Sequence, residues 1–66
     1  MPPQRIGQQL ALARKSAKVS QQELAAAMGV RRQAVFELER GVRHLRLTEA
    51  AAAADRLQVS IAWFLQ

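Results

Sequence analysis

The chemistry-bearing groups of this 66-residue chain are ten Lys and Arg, five Asp and Glu, one His and no Cys. For catalysis that is a poor inventory. His44 cannot make a zinc site without other ligands, and no thiolate is present to help it. The five carboxylates lie mostly in helical patterns beside basic residues, a setting for ion pairs rather than for acid–base work. Gly7, Gly29 and Gly41 stand apart, so no glycine-rich loop cradles a phosphate. No enzyme activity, cofactor or metal site is expected, and His44 reads as a loop residue. Arginine is what the chain does concentrate. Arg31, Arg32, Arg40, Arg43 and Arg46 fall within residues 31–46 of a protein whose formal net charge is +5. Such clustering is the electrostatic footprint expected of a partner to nucleic-acid phosphates.

Helices must position these side chains. Ala, Glu, Lys, Leu and Arg fill 35 of the 66 positions, about the half-share typical of strongly helical chains. Of the 33 hydrophobic residues 13 are Ala, which favours helix but adds little buried area, so the core should be thin. A single domain over 1–66 is expected, since a chain this short buries only about 60% of its unfolded surface. No apolar run exceeds five residues, the length of the alanine run at 50–54, far from the roughly 18 residues that span a bilayer. The start lacks the basic-then-apolar build of a secretory signal, and a cytoplasmic protein without membrane contact is expected.

Ile6, Leu10, Ala13 and Ala17 fall at helical spacing and predict a first helix over 4–17. Ser20-Gln21-Gln22-Glu23 is a capping box, in which the Ser20 hydroxyl and the Glu23 carboxylate each accept from the other's amide. It opens a second helix over 21–28, and Gly29 supplies the positive φ that follows a helix end. A third helix over 31–40 puts Ala34, Val35 and Leu38 on one side, with Arg32, Gln33, Phe36, Glu37 and Arg40 around the other. Residues 41–46 form a basic loop. Thr48 is the expected N-cap of a fourth helix that takes in the alanines and Leu57, and Ser60 caps a last turn or two with Ile61, Trp63, Phe64 and Leu65.

Two short helices joined by a glycine-containing turn are the geometry of the DNA-binding helix-turn-helix. The apolar spacing suits it: Ala25 is small where the helices would cross, and Leu24, Met28, Val30, Val35 and Leu38 set their angle. Ser20-Gln21-Gln22-Glu23-Leu24-Ala25, Met28-Gly29-Val30, Glu37-Leu38-Glu39-Arg40-Gly41 and the stretch 57–65 carry a closer likeness. Over residues 6–65 the chain resembles the helix-turn-helix regulators of the lambda repressor and Cro type, the Xre-like family, with the motif proper at 21–40. The resemblance implies an all-α, compact five-helix bundle that binds a palindromic site on double-stranded DNA as a homodimer, with the third helix in the major groove.

By that resemblance Arg32, Gln33 and Glu37 match the positions that meet base edges, and Gln21 matches the residue that holds a phosphate at a positive helix end. Arg forks onto guanine, Gln pairs with adenine and Glu accepts from cytosine N4. Glu37 has two other uses, rejection of wrong bases and pairing with Arg40 three residues on. Phe36 is placed either on a thymine methyl or against a neighbouring helix or chain. Arg31, Arg40, Arg43 and Arg46 are placed to follow the phosphates, with a solvated charge cluster as the alternative. Arg14 and Glu39 match a structural ion pair between the first and third helices. Ile61, Trp63 and Phe64 are expected at the dimer interface.

Two departures from the family pattern stand out. Gln58 replaces a usual Gly, which touches the end of the fourth helix, and Ala50 and Ala53 replace larger aliphatics, which implies a closer helix approach or a core that leans on Trp63 and Phe64. The expected activity is transcriptional regulation, by repression, in a bacterial or phage setting. The alternatives are a protein-interaction module on the same fold, such as an antitoxin with a toxin partner, and a non-specific nucleic-acid binder.

Overall fold

The computed structural model describes residues 3–64, with side chains from residue 5 onward. Five helices follow one another: α1 (Pro3–Ser16), α2 (Gln21–Met28), α3 (Arg32–Arg40), α4 (Leu47–Leu57) and α5 (Ile61–Phe64). No strand occurs among the described residues. The expected spans hold to within a residue for the first three helices. Leu65 lies outside the described residues.

Each of the first four helices ends in the same way. Lys18, Gly29, Gly41 and Gln58 take the left-handed conformation, at φ 58°, 70°, 79° and 59°. The amide of the residue after each then donates to the carbonyl five positions back: Val19 to Arg14, Val30 to Ala25, Val42 to Glu37 and Val59 to Ala54. This is the Schellman closure, which satisfies carbonyls that a helix end would otherwise leave unpaired. A valine directly follows the left-handed residue in every case. Val19 is buried, Val30 and Val59 pack onto the core from outside, and only Val42 is fully exposed. Gln58 therefore does the work of the missing glycine, and its Nε2 donates 2.8 Å to the Asp55 carbonyl across the turn.

Helix starts differ more. At α2 the capping box is complete: the Glu23 amide donates to Ser20 Oγ at 3.0 Å and the Ser20 amide to Glu23 Oε1 at 2.9 Å. The backbone bond from Ser20 and its hydroxyl, with a lesser pull from Arg56, hold the Glu23 carboxyl below its ordinary 4.5 against desolvation. At α4 the expectation fails. Thr48 is the second residue of the helix, and Arg46 is the cap. Arginine has no acceptor, so only half a capping box forms there, the Arg46 amide donating 3.0 Å to Glu49 Oε1.

The core is small and rich in alanine, as composition implies. Leu10, Leu24, Val35, Leu38 and Phe64 are its largest fully buried side chains, with Ala13, Ala25, Ala53 and Ala54 between them. α1 packs on α3 and α5, α2 on α3 and α4, and α4 on α5. Of the two consequences implied by the alanines, a core that leans on Phe64 and Trp63 is present: Phe64 is fully buried with Trp63 edge-on to it at 5.4 Å, while Ala50 and Ala53 are buried in α4. Phe64 is 0% exposed within one protomer, so its expected place at a dimer interface is corrected: a thin core needs this ring inside.

One contact sets how closely α1 and α3 approach. A Cβ on Gly7 would overlap the Leu38 carbonyl oxygen and lie 2.9 Å from that of Glu39, so α1 can cross α3 this closely only because residue 7 has no side chain.

Candidate nucleic-acid interface

The polar side of α3 follows from its 3.6-residue period. Ala34, Val35 and Leu38 point inward and are buried, which turns Arg32, Gln33, Phe36 and Arg40 to the exposed side, with Glu37 half-buried at its edge. Two shallow clefts flank this ridge. One is lined by Gln21, Arg32, Gln33 and Phe36, the other by Val30, Arg31, Gln33, Ala34, Glu37 and Arg43. Gln33 lines both and so stands on the crest. Arg31, the cap of α3, provides no side-chain acceptor for the first-turn amides.

Beneath the ridge lies a network that fixes α3 to the rest of the bundle. Arg14 Nε donates to Glu39 Oε2 at 2.6 Å, Nη2 to Glu39 Oε1 at 3.2 Å and Nη1 to the Val19 carbonyl at 2.9 Å. Gln21 Nε2 donates to the same Glu39 Oε1 at 3.0 Å. One carboxylate thus gathers α1, the start of α2 and the end of α3. The ion pair implied by the family resemblance is present, and it recruits Gln21. Glu39 takes one N–H of the Gln21 amide and leaves its second N–H for another acceptor.

Arg43 is likewise engaged. Its Nη2 lies 3.2 Å from Glu49 Oε2, while the other oxygen of Glu49 caps α4, so a single buried carboxylate shapes the basic loop and starts the next helix. This node was not anticipated. Its signal was a Glu three residues after a non-capping Arg46, which is easily masked by Thr48 between them. Arg31, Arg32, Arg40 and Arg46 are exposed, and among the described residues none of these four forms an ion pair.

Glu37 does not pair with Arg40. Arg40 instead lies over the Phe36 ring, 5.6 Å from its centroid, because long helical side chains lean toward the N-terminus and bring residues four apart together. Phe36 is 41% exposed and is not among the hydrophobic side chains packed on the core. His44 is exposed, and no group of His, Asp and Glu able to hold a metal occurs among the described residues.

A second surface carries no charge. Leu12, Ala13, Ser16, Ala17, Leu57, Val59 and Trp63 line an open groove without a charged residue, beside half-buried Ile61. No helix of the described residues is long and apolar enough to cross a membrane.

A family model described as Helix-turn-helix matches residues 10–64. No curated protein matches the chain. Among solved structures, the restriction-modification controller protein C.AhdI from Aeromonas hydrophila is similar at 29% identity, over 94% of each chain, with a TM-score of 0.88. The clp gene regulator ClgR from Corynebacterium glutamicum is similar at 29% identity in two structures. One gives a TM-score of 0.93 over 98% of this chain and 69% of that one, the other 0.89 over 98% and 84%.

Proposed function

We propose, since this chain belongs to the helix-turn-helix family, that it is a DNA-binding transcriptional regulator that represses by occupying a palindromic operator as a homodimer. The observation that carries the reading is the α3 ridge: Arg32, Gln33, Phe36 and Glu37 together on a face walled by Arg31, Arg40 and Gln21. Side chains able to read base edges sit on the crest, and cations sit where the phosphates pass. Resemblance to a restriction-modification controller and a gene regulator agrees with this. Such a protein works in the cytoplasm, at the nucleoid of a bacterium or on phage DNA.

The uncharged groove supports the homodimer. On a chain of net charge +5, a patch with no charge of its own is where two copies approach with least repulsion. Ile61 and Trp63 belong to that face. The same groove also favours a second reading, in which a different protein such as a toxin fills it and DNA binding is secondary.

Selection of bound duplexes from a random pool tests the first reading. The expected result is a palindrome with half-sites about 34 Å apart, preferred over random duplex by at least about a thousandfold. Binding should weaken with salt at a slope of about 0.9 per phosphate neutralised. If no selected sequence beats random duplex, the regulator reading fails. Stoichiometric capture of a different protein, with no self-association, would favour the second.

A further inference from the structure

Phe36 breaks the pattern of the surface that carries it. The other described aromatics, Trp63 and Phe64, are half-buried and buried, whereas Phe36 is exposed on the most polar side of the bundle. Its neighbours there are groups made for hydrogen bonds: Gln21, Arg32 and Gln33 line the cleft that Phe36 closes. Arg40 covers the ring from the C-terminal side at 5.6 Å, and this both limits its rotamers and leaves its remaining surface toward the cleft. An apolar ring held in this way contributes nothing to recognition of a phosphate or of a polar base edge. Only one apolar group projects into the major groove of a duplex, the C5-methyl of a pyrimidine.

We propose that Phe36 is a specificity-determining residue that reads a pyrimidine C5-methyl, and that this protein distinguishes methylated from unmethylated pyrimidine at one position of each half-site. The inference rests on the DNA-binding reading above. Charge selects the occupant: Arg32, which shares the cleft with the ring, and Arg40, which covers it, favour a polyanion over an apolar protein surface. Because the contact is apolar, it is blind to what distinguishes thymine from 5-methylcytosine. Arg32 and Gln33 beside it read the hydrogen-bonding groups, and Phe36 reads the methyl. Binding to a site with cytosine at the Phe36 position is therefore strengthened by methylation of that cytosine.

The test uses the selected operator. Each thymine is replaced in turn by uracil, which keeps every hydrogen bond and lacks the methyl. Cytosine and 5-methylcytosine are compared at the position that responds. Loss of one methyl contact should weaken wild-type binding roughly three- to tenfold at a single position per half-site, and 5-methylcytosine should exceed cytosine there by a similar factor. In Phe36→Ala both differences should vanish while the melting temperature stays close to wild type, because the side chain is outside the core. Phe36→Leu should keep part of both. Uracil without effect at every thymine, or an effect that persists in Phe36→Ala, overturns the inference and leaves the regulator reading standing. Failure to select any operator overturns both.

Discussion

Individual side chains divide between reading and holding, and the division can be measured. Gln33 stands on the crest between both clefts, so Gln33→Ala should relax preference at one base pair while leaving random duplex binding unchanged. Arg31 is exposed and forms no ion pair among the described residues, so Arg31→Ala should weaken all sequences alike and flatten the salt slope by about one unit. Filter binding of both variants to specific and random duplex checks this, and equal effects on the two duplexes from both would remove α3 as the reader. Glu39 belongs to the holding class. Its side chain accepts from Arg14 and Gln21 and is 9% exposed, so Glu39→Ala strands a largely buried guanidinium and should cost about 3 kcal/mol in urea denaturation. The Arg14–Glu39 pair and the exposed side of α3 were legible from residue types set in a known motif. Engagement of Gln21 by Glu39 and of Arg43 by Glu49 was not, because each pairing joins side chains from different elements, and a sequence does not show which rotamers meet.

Elements owe their limits to local rules and their angles to contacts. The Schellman ends require only a residue that accepts left-handed φ, and glycine does so at least cost. Gln58→Gly relieves roughly 1 to 2 kcal/mol of left-handed strain and gives back most of it in chain entropy and the lost Asp55 bond. A net gain of about 0.5 kcal/mol is expected, seen as a rise of about 2 to 4 °C in Tm. The two glycines Gly7 and Gly29 should then separate conformation from packing. Gly29→Ala meets nothing within 4 Å and should cost only about 1 kcal/mol with operator binding intact. Gly7→Ala meets backbone carbonyls of α3, so it should cost about 1 to 3 kcal/mol and also shift the reading helix, with loss of specific binding in the fraction that folds. Calorimetry with binding on each variant decides the matter. A Gly7→Ala protein that reads its operator normally would remove this crossing from the control of α3. The start of α4 was misread because Thr48 is a better capping type than Arg46, yet the loop geometry set by Glu49 wins.

At the scale of the whole molecule, a thin core and a high positive charge point the same way. Phe64 is used inside the protomer, which leaves Leu12, Val59, Ile61 and Trp63 around an uncharged groove for a second copy. Leu12→Glu places charge there without touching the core, since Leu12 is 56% exposed. It should give a folded monomer in sedimentation, with a melting temperature no longer dependent on protein concentration and weakened binding to paired half-sites. A Leu12→Glu protein that still sediments as a dimer would move the interface elsewhere.

The sequence by itself determined the five helices, the polar face of α3 and the family, because helical periodicity, capping boxes and turn glycines are rules acting over three to five residues. Tertiary structure alone decided that Phe64 lies in the core, that Glu39 and Glu49 are the nodes tying arginines to the frame, and that Gly7 permits the close approach of α1 and α3. Each of those outcomes depends on how closely two helices approach, and that distance is fixed by the whole set of side chains between them.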